Sequence, residues 1–426
     1  MTHQRSLSTL PRRAAAFAVT TMLLLATAGC SMPLFPSGND SSAKSASSSS
    51  SPSSSKSAKN AGKDTDKSGT PSTDSQTTSA PSAQDKAKEI LATMSVEQKA
   101  GQLMMVPLFA GNGATDVQNL VQNDHVGSVL LLGNWKGGTS AVAQVSSKLQ
   151  GYTSGVGLLI CADQEGGQVQ HLTGSGFDTM PSAVKQGQMS VDDLRSSAKT
   201  WGSQLKSAGV NVDLAPVAGT VQTANRSQNA PIGALDRDFG LDAAGNGQHA
   251  AAFVNGMRDA GVMSSIKHFP GLGGVTGNTD FTDSGITDTT TTLDGGQIEG
   301  FRQALQANPD MVMMSLATYS QIDPNEPAAF SSAILNDYLR GTLGYQGVVT
   351  SDSMSAAALG SIPAKELGVR FVSAGGDLIC IGANEYVQPI LTGLVQKAQS
   401  DPAFAQQVDQ AALRVLTLKV NAGLVS

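Results

Sequence analysis

Charged side chains recur in this 426-residue chain at one kind of place, at or just past the end of a short apolar run. Asp163-Gln164-Glu165 follows the run 157–162, Asp213 lies in 210–214, Lys267-His268 ends 263–267, and Asp352 follows 347–351. Carboxylates in such positions serve as nucleophiles, general bases or proton donors. Lysine beside them supplies charge-assisted hydrogen bonds that orient a polar ligand. Each has a plainer use as well: an Asp behind a strand often caps the next helix, and Lys267 can simply pair with an acid. Other chemistries lack their residues. The five histidines (His3, His125, His171, His249 and His268) show no spacing such as H-E-x-x-H, so no metal is expected. Ser351 and Ser353 lie in no G-x-S-x-G elbow. The glycine-rich stretch 271–277 has Thr276 at the sixth position of a dinucleotide loop, and a Thr/Asp-rich segment follows instead of a helix. No nucleotide and no cofactor are therefore expected.

The elements that must position these residues alternate. Eight short β-rich runs occupy 102–108, 127–132, 157–162, 210–214, 263–267, 311–315, 347–351 and 377–381. Amphipathic stretches such as 192–208, 245–259 and 297–306 lie between them. A helix is expected near Asp85, and Ser95-Val96-Glu97-Gln98 carries the capping-box pattern of another. Strand–helix alternation implies a parallel sheet. Eight units in about 340 residues imply a closed (β/α)₈ barrel, whose C-terminal rim collects site residues from several strands. An open doubly wound sheet is the alternative.

Composition narrows the class. The chain carries 28 Lys and Arg against 34 Asp and Glu, a formal net charge of -6. With few cations to neutralise phosphates it is not expected to bind nucleic acid. No segment after residue 30 holds the roughly 18 uninterrupted apolar residues of a membrane span. The first 29 residues read as a secretory signal: Arg5, Arg12 and Arg13, an apolar stretch, then Ala28-Gly29 before Cys30. A Cys there resembles a bacterial lipobox, with Thr27 in place of the usual Leu. Cys30 is thus expected to carry lipid and hold the protein on the outer face of the cytoplasmic membrane. Residues 31–84 read as a disordered Ser-rich tether, with 12 serines in 41–60. As a coil these residues would span roughly 40 Å. Cys161 and Cys380 sit inside apolar runs and read as buried thiols, although a disulfide is an alternative.

Four ordered stretches in 85–426 resemble glycoside hydrolase family 3, above all its single-domain β-N-acetylhexosaminidases. Met94–Leu103 is similar to the family's opening helix, and Asp163–His171 to its D-x-E-G-G-R-V-x-R loop. Lys267-His268-Phe269-Pro270-Gly271 reproduces K-H-F-P-G, and Ser351-Asp352 matches the Ser-Asp ending the seventh strand. The resemblance implies that Asp352 is the nucleophile. It also implies that Asp163, Arg237, Lys267 and His268 hold sugar hydroxyls, with His171 where the family's loop closes on an Arg ligand. A retaining glycosidase needs one carboxylate to attack the anomeric carbon and one acid to protonate the leaving oxygen.

The departures are informative. Gln168 replaces the loop Arg, and Ser353 replaces the Asp that usually follows the nucleophile. The Asp-Ser-His triplet whose His is the family's acid/base reads Asn278-Thr279-Asp280. Asp280 is therefore the expected proton donor, with Asp283 as its competitor. The two-domain β-glucosidases draw their acid from a second domain, for which the 74 residues after Asp352 are expected to leave no room. Two function classes remain: a surface-anchored exo-β-glycosidase releasing N-acetylglucosamine from peptidoglycan fragments or other glycans, or β-glucosides instead; and a glycan-binding protein on a degenerate barrel.

Overall fold

The computed structural model describes residues 82–425. The signal, Cys30 and nearly all of the tether fall outside them. Ser82 accepts from the Asp85 N–H and caps a first helix, Ala83–Thr93, which takes in two residues assigned above to the tether. At Ser95 the expected capping box is formed in both directions, with bonds of 2.9 and 3.3 Å, and starts the helix Val96–Gln102.

All eight expected strands form: β1 Met104–Phe109, β2 Ser128–Leu132, β3 Leu159–Ala162, β4 Val212–Asp213, β5 Met263–Phe269, β6 Met311–Met314, β7 Val348–Ser351 and β8 Ile379–Cys380. They pair in parallel in the order β7-β6-β5-β4-β3-β2-β1-β8. A parallel bridge from Thr350 to Leu378 joins the two ends. The Ser351 N–H and the Thr350 hydroxyl both donate to the Leu378 carbonyl, at 3.0 and 2.9 Å. The sheet is a closed barrel, and the open doubly wound alternative is excluded. Closure leaves no free edge, and both faces of every strand are covered, which is why runs such as Met104–Leu108 are apolar and buried throughout.

A helix follows each strand, two of the longer ones being Val191–Ser207 and Ala243–Ala260. These two pack closely because Gly202 and Gly256 carry no side chain. A Cβ on Gly202 would sit 2.9 Å from Ala260 and Met257, and one on Gly256 would sit 2.4 Å from the Arg195 carbonyl. Trp201 and Phe253 fill the seam, with ring centroids 6.3 Å apart. Cys161 and Cys380 are buried free thiols.

The seam between β7 and β8 rests on a buried charge. Asp377, at zero exposure, accepts from Arg340 at 2.6 Å, from Arg414 at 2.9 Å and from the Val349 N–H at 2.8 Å. Removing one member of a buried pair typically costs about 3–5 kcal/mol, because the partner is left uncompensated. Asp377→Asn strands two guanidinium groups beside the closing strands. It should lower the unfolding free energy by about 3 kcal/mol in urea with an unchanged slope. A loss below about 1 kcal/mol would show that closure does not depend on this carboxylate.

Candidate active site

The barrel brings the expected residues to one rim. A cavity of about 490 Å³ there is lined by Asp163, His171, Arg237, Lys267, His268, Asp280 and Asp352, among others. Asp283 does not line it, and its carboxylate instead accepts from the adjacent Ser284 hydroxyl at 3.2 Å.

Three elements supply the floor. After β3 the chain makes a hairpin, Gln164–Gly166 against Val169–Gln170. Its turn requires glycine: Gly166 has φ +99, and a Cβ there would lie 2.3 Å from the Pro181 carbonyl. The hairpin sets Asp163 and Glu165 toward β5. Lys267 and His268 were expected at the end of a strand but lie inside β5, where pairing with β6 shifts register between Ile266 and Phe269. That irregularity breaks the usual alternation, and both consecutive side chains line the cavity. Arg237 comes from the loop after β4, its Nη1 tied to the Pro231 carbonyl at 2.8 Å.

These groups neutralise one another. Lys267, 1% exposed, bonds Asp163 at 2.5 Å and Glu165 at 2.7 Å. Arg237 holds Glu165 through two bonds of 2.9 and 2.7 Å. Burial alone would raise the Glu165 pKa, but Arg237 and Lys267 more than reverse this and hold it well below the usual carboxylate range. Burial likewise opposes the Lys267 charge, and Asp163 and Glu165 overcome it, raising its pKa. Lys267 is thus the ion-pair partner of an acid, and it still keeps one of its three protons for a ligand. Glu165 does not line the cavity and was not among the residues expected in the site. Its sequence signal was its place in the D-x-E loop; its partners lie 72 and 102 residues away, a pairing that only the barrel creates.

Beneath the network Asp213 is fully buried, accepting the Gln164 N–H at 3.0 Å through one oxygen, with no partner for the other. Burial drives its pKa well up, against the Gln164 N–H bond and the Lys267 charge. His171 donates from Nδ1 to the Gly133 carbonyl at 2.9 Å, leaving Nε2 for a ligand.

Asp352 stands at the end of β7. Its Oδ1 accepts the Ser353 N–H at 2.8 Å, while Oδ2 lies 3.8 Å from His268 Nε2. That separation is too long for a hydrogen bond. Burial, then Arg237 and Lys267, lower the His268 pKa well below normal, so the imidazole is neutral and the contact is no ion pair. Burial first, and then the Asp280 charge, push Asp352 up to about 7. Asp280 itself sits at the exposed rim. Partial desolvation raises its pKa and Asp163 adds to this, against Arg237 and Lys267. Backbone bonds tie the two segments that carry these carboxylates together. Ala357 and Ala358, just after Asp352, donate to the Asp280 and Thr279 carbonyls at 3.2 and 3.0 Å. The β5 loop is thereby pinned across the β7 loop.

Comparison with known proteins agrees with this arrangement. The profile of the glycosyl hydrolase family 3 N terminal domain matches residues 95–418. A crystal structure of a β-N-acetylhexosaminidase from Beutenbergia cavernae is 42% identical, with a TM-score of 0.75 over 77% of this chain and 99% of that one. The β-hexosaminidase LpqI of Mycobacterium tuberculosis is 32% identical over 78% of this chain and 84% of its own. A family 3 β-N-acetylglucosaminidase from Paenibacillus is 26% identical, with a TM-score of 0.69 over 78% of this chain and 63% of that one. With its charged residues gathered on one barrel rim and similarity along this whole span, the chain belongs to glycosyl hydrolase family 3, its substrate a carbohydrate and its reaction the hydrolysis of an O-glycosyl bond.

Proposed function

We propose that the protein is a retaining exo-β-N-acetylhexosaminidase in which Asp352 attacks and Asp280 delivers the proton. The observation that carries the mechanism is the electrostatic coupling of these two carboxylates at one cavity, where the Asp280 charge helps to push Asp352 up to about 7. Two interacting acids lose their protons in two steps that belong to the pair. Between those steps the site holds one proton, which is what the reaction needs. Burial favours placing it on Asp352. A bound sugar developing positive charge at its anomeric carbon favours the Asp352 carboxylate instead, moving the proton to Asp280.

In the first half-reaction Asp352 Oδ2 bonds to the anomeric carbon, the bond to the leaving oxygen breaks, and the Asp280 proton goes to that oxygen. Water then attacks the glycosyl-enzyme, Asp280 takes its proton, and Asp352 is released. Asp163, Lys267, His171 and Arg237 hold hydroxyls, fixing the ring for in-line attack. The N-acetyl preference is supported by the two relatives named for hexosaminidase activity at 42% and 32% identity. Outward display through lipid on Cys30 is supported by the signal-like sequence before it.

The direct test is a comparison of aryl glycosides. The aryl N-acetyl-β-glucosaminide should be cleaved at least as well as the β-glucoside in kcat/KM, and Asp352→Asn should abolish both activities. A clear glucoside preference overturns the sugar assignment. Wild-type rates no higher than those of Asp352→Asn would leave a glycan-binding protein.

The pH profile tests the donor. Turnover needs one proton on the pair, with Asp352 ionised and Asp280 protonated, so activity falls at low pH, where both carboxyls are protonated, and falls again as the last proton leaves the pair. Wild type should give a bell declining above about 7. Asp280→Asn removes the charge that raises Asp352. The variant's turnover should then be limited only by ionisation of Asp352, so on an activated aryl glycoside the alkaline decline should vanish. Glycosides with poor leaving groups should lose about 10²–10⁴-fold, the usual worth of a general acid. An unchanged alkaline limb would place the acid elsewhere.

Cys30→Ala should move the protein from the membrane fraction to the medium; retention in the membrane would refute the lipid anchor.

A further inference from the structure

Phe281 is exposed where an aromatic ring has no structural reason to be. Four large apolar side chains reach the surface among the described residues; Phe109, Leu241 and Val191 are at most 41% exposed and Phe281 is 82% exposed. It directly follows Asp280 and lines the same cavity as Asp352. Its loop is braced at both ends. Thr276 and Gly277 donate to the Gly285 carbonyl at 2.9 and 2.8 Å, closing the base. A Cβ on Gly277 would lie 2.1 Å from the Ser284 carbonyl, so this base closes tightly only on glycine. The tip is pinned to the β7 loop through the Thr279 and Asp280 carbonyls, and Thr279 is only 1% exposed. A buried Thr279 two residues from an outstanding Phe281 means that the loop presents the ring rather than failing to bury it.

We propose that Phe281 is the stacking platform for the leaving group, and that this group is a pyranose ring, so that the substrate is a β-linked oligosaccharide. This deepens the glycosidase reading above and rests on it. The charges that grip hydroxyls, Asp163, Lys267 and Arg237, lie on the floor with Asp352, so the sugar to be released occupies the floor. Asp280 meets the glycosidic oxygen and marks the boundary between the two sugars. The ring that follows Asp280 in the chain is therefore on the leaving-group side. A pyranose has an apolar C–H face bounded by hydroxyls. An aromatic ring covers that face while the hydroxyls stay in water, a match that a charged or flexible loop tip cannot offer.

The test compares two substrates, the β-linked disaccharide of N-acetylglucosamine and methyl N-acetyl-β-glucosaminide, whose leaving group has no ring. In Phe281→Ala the disaccharide-to-methyl ratio of kcat/KM should fall about tenfold, most of it through KM, since stacking acts on bound substrate and transition state alike. Phe281→Trp should restore the ratio. A parallel drop on both substrates would mean that Phe281 only supports the loop, and a ratio within about twofold of wild type would mean that it touches nothing; either overturns the proposal. Calorimetry of disaccharide binding in the Asp352→Asn background separates this from failure of the catalytic reading. Adding Phe281→Ala there should weaken binding about tenfold whether or not the wild type turns over, and unchanged binding overturns the platform.

Discussion

The salt-bridged network of Asp163, Lys267, Glu165 and Arg237 is the constraint on which the rest of the site depends. Lys267 has almost no solvent, and an isolated ammonium in that position would be too costly to keep charged. Two carboxylates from the β3 hairpin make it tolerable, and Arg237 in turn compensates the buried Glu165. Three segments of the barrel rim are thereby locked into one geometry. The remaining hydrogen-bonding capacity of these groups faces the cavity already desolvated and oriented, the preorganisation that lets charges act on a ligand without rearranging.

Against that fixed floor, the chemistry is set by a deliberate imbalance. Four charges of the floor cancel in pairs, whereas Asp352 has a neutral histidine beside it and no cation bonded to it. After burial, the largest influence on its ionisation is Asp280, of the same sign. Like charge in a desolvated pocket stores a proton between two carboxylates, the condition that acid-assisted displacement requires. Holding Asp280 on a loop bonded to the loop of Asp352 couples the two carboxylates through the backbone as well as through their fields. The exposed Phe281 belongs to the same loop, so the proposed proton donor and the proposed platform for the leaving group are carried by one segment.

The order of the elements was legible in the chain because a barrel strand buried on both faces is written as a short continuous apolar run. A surface helix is written with a period near 3.6. All eight strands were readable for this reason, and the capping box at Ser95 was readable because Gln98 stands three residues after it. Asp352, Asp163, Lys267 and His268 were readable because chemistry on a barrel collects at strand ends and because their flanking residues resemble a family's motifs. Asp280 could be named only by counting from Lys267 across a loop that departs from that pattern.

What tertiary structure decided was everything that depends on distance between remote positions. Closure is one case: no residue of β7 or β8 announces the bridge from Thr350 to Leu378 or the two arginines that converge on Asp377. Glu165 is another, since a carboxylate among other polar residues acquires its role only when Lys267 and Arg237 are folded against it. The placement of Asp280 and Asp283 is a third: counting along the sequence put Asp280 first, but only the folded loop brings it to the cavity and leaves Asp283 off it. Local sequence determines residue type and backbone preference through near neighbours. Ionisation, burial and pairing are set by groups tens to hundreds of positions away, and those the barrel alone brings together.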